Sequence, residues 1–267
     1  MAKHMLVVGT PGSGKTTFSV GLLDHLWKEH HIPFLVIEPA KNEYRALVQS
    51  IPDLQVFTPG KNFISPFVFN PFVPPKNVKL ETCKSTLKTA FAAAVSMSTP
   101  LDKIFEESIN NCYSDFRWLD TYTVDDKGRT FNITDFIKCF QETFDSIGFT
   151  GDAKNIGRAG VVRLNSLVNL FDNYHSIPIE DILSKPTIIE LAAIENSDQK
   201  ELIIVHRHMV YQHVPAGFVE LHRNQVQFGQ RVSYLCFSLF FGQTKRLRFM
   251  RCSSFIRFWC CDGIPWA

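Results

Sequence analysis

Short apolar runs alternate with helical patterns at the start of the chain. Residues 4–8 and 32–37 are almost wholly apolar, as in strands buried on both faces of a parallel sheet. Between them, Thr17 to Glu29 carry apolar side chains at helical spacing. A third apolar run, residues 186–191, comes much later. Strands separated by helical segments predict an α/β fold built on a parallel sheet.

The middle of the chain has a helical pattern instead. Four amphipathic segments with recognisable caps lie between residues 76 and 172. Their aromatic residues stand at core spacing, which favours packing over the stacking of nucleic-acid bases. Arg158 and Arg163 would either contact a neighbour or nucleic acid, or lie on a solvated helix face, and the solvated face is favoured. This block predicts a helical insertion in the sheet.

These patterns predict four segments. Residues 1–75 form the first part of the core, 76–175 the helical insertion, 176–205 the return to the core, and 206–267 an atypical tail. The whole chain of 267 residues has a net charge of +2 and contains no run of 18 apolar residues, so no membrane span is expected. The first strand begins too early to leave room for a signal peptide, and the seven cysteines form no C-x-x-C pair. We therefore expect a cytoplasmic protein with free thiols.

One motif joins the first strand to the first helix. Residues 9–16 read G-x-x-x-x-G-K-T, a complete phosphate-binding loop in the strand–loop–helix setting that it requires. The glycines let backbone N–H groups turn toward phosphate oxygens, and the helix N-terminus adds partial positive charge. Lys15 would reach the β- and γ-phosphates, and the hydroxyl of Thr16 would bind Mg²⁺. The predicted nucleotide-binding residues are Gly9, Thr10, Pro11, Gly12, Ser13, Gly14, Lys15, Thr16 and Thr17.

An acid follows the second strand. Glu38 would lie at the carboxyl edge of the sheet, where ligands bind in open α/β folds. It would polarise a water or hold the hydration shell of the metal. Alternatively, it would cap the next helix at Asn42 or pair with Lys41, and the pattern does not decide between these roles.

The loop and the residues after the second strand together resemble the HerA/FtsK superfamily of P-loop ATPases. The resemblance is carried by the loop, by Glu38, Pro39, Lys41, Glu43 and Tyr44, and by residues 56–60, 69–72 and 187–191. The resemblance covers about residues 4–205, and the chain is similar also to the type IV secretion ATPases. It implies a RecA-like P-loop fold.

The resemblance also implies a function. Members are motors that form rings, hexameric in intact relatives, and that move DNA or drive conjugation machinery, so DNA and a nuclease or secretion-system partner are expected. ATP and Mg²⁺ are the implied cofactors, with Lys15 and Glu38 as catalytic residues. A nucleotide-binding fragment without catalysis and a type IV secretion ATPase are the alternatives.

The later motifs of the family are not found. Glu190 ends an apolar strand as a Walker B acid would, but in the family such a strand precedes the Walker B strand, with a helix that would begin here near Ser197. No Walker B strand and no arginine finger follow. Glu190 is therefore the second candidate, after Glu38, for the acid that orients water.

The composition changes near Val205. Residues 1–205 hold 20 basic and 24 acidic residues, whereas residues 206–267 hold 8 basic and 2 acidic ones, so the net charge changes from −4 to +6. The tail would be a basic nucleic-acid-binding extension, a membrane-surface segment or the product of out-of-frame translation. We favour the last, because the family motifs end where the composition changes. This interpretation predicts little strand pairing between the tail and the strand at Met5.

Overall fold

The structure is a computed structural model that describes residues 2–61, 67–75, 78–95, 99–118, 128–151, 154–211, 219–222, 233–240 and 257–260. It forms two compact units. Unit 1 comprises Met1–Pro66, Ile179–Ala193 and Pro215–Ala267, and unit 2 comprises Phe67–Pro178 and Ile194–Val214. No helix among the described residues is long and apolar enough to cross a membrane.

The described segments contain both strands and helices, as an α/β fold requires. The strands are β1 (Ala2–Gly9), β2 (Phe34–Glu38), β3 (Gln55–Phe57), β4 (Thr187–Glu190), β5 (Val219–His222), β6 (Ser233–Phe240) and β7 (Arg257–Cys260). The helices are α1 (Lys15–His30), α2 (Leu80–Val95), α3 (Leu101–Asp115), α4 (Ile133–Ile147), α5 (Lys154–Asn165), α6 (Val168–Phe171), α7 (Ile179–Ser184) and α8 (Ser197–Tyr211), with a 3₁₀ helix at Glu43–Gln49.

Unit 1 is built on one sheet of seven strands in the order β3-β4-β2-β5-β6-β1-β7. Strands β3, β4, β2 and β5 are mutually parallel, as predicted for the apolar runs 32–37 and 186–191. The run at residues 4–8 was also expected to form a parallel strand, but both of the strands that pair with β1 are antiparallel to it. All five residues of β2 are buried. Leu23 and Leu26 of α1 pack with Phe34 and Val36 of β2 and with Ile188 of β4 in one hydrophobic cluster. This cluster fixes α1, and with it the loop before α1, against the sheet.

The expectation of little strand pairing beyond residue 206 is wrong. β1 pairs antiparallel with both β6 and β7, with Val7 opposite Leu235 on one side and opposite Phe258 on the other. β5 pairs in parallel with β2. Unpaired backbone groups along β1 favour any neighbouring extended segment, and the aromatic-rich runs of the tail have high strand propensity without a clear period. The out-of-frame interpretation is therefore wrong in its structural prediction, and it rests only on the change of composition and on the end of the family motifs at the same place.

Unit 2 is a helical assembly around an aromatic core. The ring of Phe72 lies 4.9 Å from the rings of both Phe131 and Phe136, and 5.8 Å from that of Phe91. The Tyr113 hydroxyl donates to the carbonyl of Phe72 at 2.7 Å. The unit therefore includes residues 67–75 and α8, whereas we predicted an insertion of residues 76–175. The difference arises because Phe72 packs among the helices.

Local signals in the sequence account for much of this unit. Asn132 and Asp135 form a reciprocal capping box at the start of α4, and Gly148 ends that helix in the left-handed conformation.

The thiols of Cys83, Cys112 and Cys139 are free and buried among the helices. Of the tail cysteines, Cys252 and Cys261 lie outside the described residues.

Candidate functional site

The loop between β1 and α1 turns on two glycines in the left-handed region. Gly12 has φ 80° and Gly14 has φ 85°, where a Cβ would cost about 1–2 kcal/mol. The Ser13 N–H donates to the Thr10 carbonyl at 3.1 Å and closes the turn. Thr10 and Pro11 are exposed at the tip of the loop, and Thr17 is exposed in the first turn of α1. The N-terminus of α1 therefore opens onto an accessible loop.

Lys15 is folded back onto this loop. Its Nζ donates to the carbonyls of Gly9 at 2.9 Å and Thr10 at 2.7 Å, and lies 3.4 Å from the Ser13 hydroxyl. The side chain is only 9% exposed. The loop carbonyls thus hold a buried positive charge beside the α1 N-terminus, where a phosphate group would be attracted.

Thr16 contacts a residue that is distant in the sequence. Its hydroxyl donates to Glu43 Oε2 at 2.8 Å. The other oxygen of the Glu43 carboxylate accepts from Lys41 Nζ at 3.0 Å. Thr16 and Glu43 therefore place a hydroxyl oxygen and a carboxylate side by side, next to the loop.

Glu38 takes a capping position. Its side chain is fully buried, and its two carboxylate oxygens accept from the N–H groups of Glu43 at 3.2 Å and Tyr44 at 3.4 Å. These N–H groups belong to the first turn of the 3₁₀ helix, which has no intrahelical partner for them. Of the two roles left open by the sequence, this geometry is that of the cap. Lys41 pairs with Glu43.

Glu190 is held in a bidentate ion pair. Arg45 donates from Nε to Oε1 at 3.0 Å and from a terminal nitrogen to Oε2 at 2.7 Å. The Glu190 side chain is fully buried, and its hydrogen bonds with Arg45, together with its negative charge, raise the pKa of Arg45. Glu190 lies opposite Glu38 in the β2–β4 register, so both acids end neighbouring strands. Such a bidentate ion pair gives Glu190 a structural role, in which its carboxylate stabilises the carboxyl edge of the sheet.

The site has the donors that a nucleotide with Mg²⁺ requires. Backbone N–H groups at an exposed glycine loop, a helix N-terminus and the ammonium of Lys15 suit phosphate oxygens. The hydroxyl of Thr16 and the carboxylate of Glu43 are hard oxygen groups, which Mg²⁺ prefers, with phosphates supplying further ligands. The residues present therefore fit ATP with Mg²⁺.

Two residues of the site were not predicted as site residues from the sequence. Glu43 and Arg45 follow the acid after β2, and Glu43 was noted only as part of the resemblance. Their neighbours Thr16 and Glu190 are 27 and 145 residues away in the chain, so no local spacing connects them. The one available signal was the charged cluster 41–45 directly after a buried strand.

Of the two arginines considered as nucleic-acid contacts, Arg158 is exposed and Arg163 is half-buried on α5.

The chain resembles known proteins in sequence pattern and in fold. The family model described as "Helicase HerA, central domain" matches residues 1–208. Among solved structures, VirB4 of Thermoanaerobacter pseudethanolicus matches with a TM-score of 0.52 at 12% identity, covering 75% of this chain and 74% of VirB4. At that identity the likeness shows the fold alone. No curated protein matches the chain in sequence.

Proposed function

Since this chain belongs to the HerA central-domain family of P-loop ATPases, we propose that it binds ATP with Mg²⁺ at residues 9–17 as the domain of a motor ATPase. The observation that carries the proposal is the arrangement of the loop: Lys15 lies over the N-terminus of α1, and the hydroxyl of Thr16 lies at the same end of the helix. An exposed glycine loop between a strand and the N-terminus of a helix supports this assignment.

Bound ATP would supply the reactive phosphoryl group, which is transferred to water in this class of enzymes. We assign to Lys15 the role of stabilising charge on the β- and γ-phosphates, which requires its ammonium to leave the carbonyls of Gly9 and Thr10. Thr16 would hold the metal. Glu38 stays a predicted catalytic acid, but its burial and its two backbone hydrogen bonds support a role in positioning the 3₁₀ helix.

For the substrate we propose DNA, which would be moved by a ring of such domains in the cytoplasm. Family membership supports this proposal. A nuclease gene beside the gene for this chain would support DNA processing, whereas conjugation genes would support a secretion-type ATPase. Salt-dependent binding of duplex DNA is the direct biochemical test, because neutralised phosphates release counterions.

The test of nucleotide binding is the variant Lys15→Ala. Removing the ammonium should weaken the affinity for ATP with Mg²⁺ at least tenfold, about 1.4 kcal/mol. Isothermal titration of the wild type and the variant measures the change. Lys28→Ala is the matched control, because Lys28 lies in the last turn of α1 and pairs with Asp24 at the surface. Equal ATP affinity for the wild type and Lys15→Ala would refute the assignment.

We further expect slow hydrolysis. The sequence contains no recognisable Walker B strand and no arginine finger, and such a finger contributes about 10³–10⁵ in rate. Phosphate release at saturating ATP and DNA measures turnover. A rate on the order of 1 per second or faster would show that other groups supply these functions, and would exclude the inactive fragment.

A further inference from the structure

The contact between Thr16 and Glu43 joins the phosphate loop to the segment after β2. A threonine hydroxyl has one proton, and here it is donated to Glu43 Oε2 at 2.8 Å. The lone pairs of the Thr16 oxygen are therefore turned away from Glu43. A hydroxyl oriented in this way presents those lone pairs to a cation, as outer-shell partners commonly orient metal ligands.

Glu43 is itself held in place by two neighbours. Its backbone N–H donates to the fully buried carboxylate of Glu38 at 3.2 Å, which fixes the start of the 3₁₀ helix. Its Oε1 accepts from Lys41 at 3.0 Å, which orients the carboxylate plane. Side chains positioned by such supporting contacts hold a ligand precisely enough for metal binding. The buried Glu38 thus acts on Thr16 through Glu43.

In P-loop NTPases generally, the metal is held by the loop threonine or serine and by an acid from a Walker B strand. The sequence of this chain has no recognisable strand of that kind. We propose that Glu43 is the positioning residue of the Mg²⁺ site, orienting Thr16 and adding a negative charge beside the metal. This inference rests on the proposed binding of ATP with Mg²⁺.

The charge of Glu43 matters as well as its geometry. Mg²⁺ binds to proteins through one or two carboxylates together with substrate phosphates, and it usually keeps several waters. A carboxylate in hydrogen-bond contact with Thr16 lies within reach of such a metal-bound water. Removing this charge should weaken the contribution of the metal to ATP affinity and should leave ATP binding without metal unchanged.

The experiment measures the ATP affinity of the whole chain of 267 residues by isothermal titration, once with Mg²⁺ and once with a chelator. The quantity of interest is the dissociation constant for ATP in the chelator divided by that in Mg²⁺, a ratio that measures how much the metal strengthens ATP binding. For Glu43→Gln we expect this ratio to fall about 10–100-fold relative to the wild type, as for other supporting residues of metal sites. Glu43→Asp, which keeps the charge, should restore part of the ratio. Direct titration of Mn²⁺ into the protein with a non-hydrolysable ATP analogue, followed by electron paramagnetic resonance, gives a second readout.

Glu29→Gln is the matched control. It removes the same charge from an exposed position at the far end of α1 and should not change the ratio. An unchanged ratio for Glu43→Gln would overturn the inference while leaving the proposed function intact. Loss of ATP affinity in the chelator as well would also overturn it, because Glu43 would then maintain the loop itself. A wild type that does not bind ATP would refute the proposed function and this inference together.

Discussion

Removing the guanidinium of Arg45 should destabilise the protein, because it leaves the carboxylate of Glu190 buried. Glu190 is fully buried, and both of its oxygens accept from Arg45 at 3.0 and 2.7 Å. Methionine in place of Arg45 keeps much of the length of the side chain and removes both donors. The variant Arg45→Met therefore tests whether Glu190 has a structural role at the sheet edge.

The magnitude follows from burial and hydrogen bonding. Breaking a buried ion pair by removing one partner costs about 3–5 kcal/mol. The Arg45 side chain is 48% exposed, so water replaces part of the lost interaction, and we expect a smaller loss of about 2 kcal/mol. In the double variant Arg45→Met/Glu190→Met no charge is left buried, so the loss should be smaller than the sum for the two single variants by about 1 kcal/mol or more.

Urea denaturation followed by circular dichroism measures these free energies of unfolding. Arg158→Met is the control, since Arg158 is exposed on α5 and its replacement should change stability by less than about 0.5 kcal/mol. If Arg45→Met is as stable as this control, the ion pair contributes nothing to stability. The proposal that Glu190 is structural would then fail, and Glu190 would regain its place as a candidate catalytic acid.

Three further outcomes can be measured on the same protein. Asn132→Ala should lower the stability by about 1 kcal/mol in urea denaturation, because it removes the cap of α4; equal stability would contradict the capping box. Gly21→Ala should raise the free energy of unfolding by about 0.5–1 kcal/mol, because Gly21 is exposed within α1 and its added Cβ meets nothing within 4 Å. A lower free energy of unfolding would contradict that open space. Burial raises the pKa of Cys83 from 9.0 to about 12, so alkylation at pH 8 should be about a thousandfold slower in the folded than in the unfolded chain, as followed by peptide mass spectrometry. Rapid alkylation of Cys83 in the folded protein would contradict this burial. Since folding favours the neutral thiol, the contribution of Cys83 to stability is present below pH 9 and is lost as the pH rises toward 12.

The sequence was sufficient to predict the parts of the fold that depend on local pattern. The strand, loop and helix at residues 4–29 and the later strand at 187 could be located because apolar runs and helical spacing are local signals. The family and the α/β fold class followed from the same segments and are confirmed. The capping box of α4 was not located from the sequence, although Asn132 and Asp135 stand at the spacing that it requires.

The contacts within the site could not be predicted in the same way. Thr16 and Glu43 meet only because β2 places the 3₁₀ helix beside the start of α1, and Arg45 reaches Glu190 only because β2 and β4 are neighbours in the sheet. Such contacts depend on strand order, which a hydrophobic pattern does not determine. The sequence therefore identified the acids at the sheet edge but did not reveal that Glu38 and Glu190 already had partners.

Strand order also bears on where a Walker B acid would have to come from. In this sheet β1 lies between β6 and β7, both antiparallel to it, so the carboxyl end of β1 faces the amino ends of its two neighbours. A Walker B acid follows the carboxyl end of its strand, so neither neighbour of β1 can bring such an acid to the phosphate loop. The nearest parallel strand, β5, is separated from β1 by β6. The segment after β2 brings an acid to the loop by another route, since Glu43 lies 2.8 Å from the hydroxyl of Thr16.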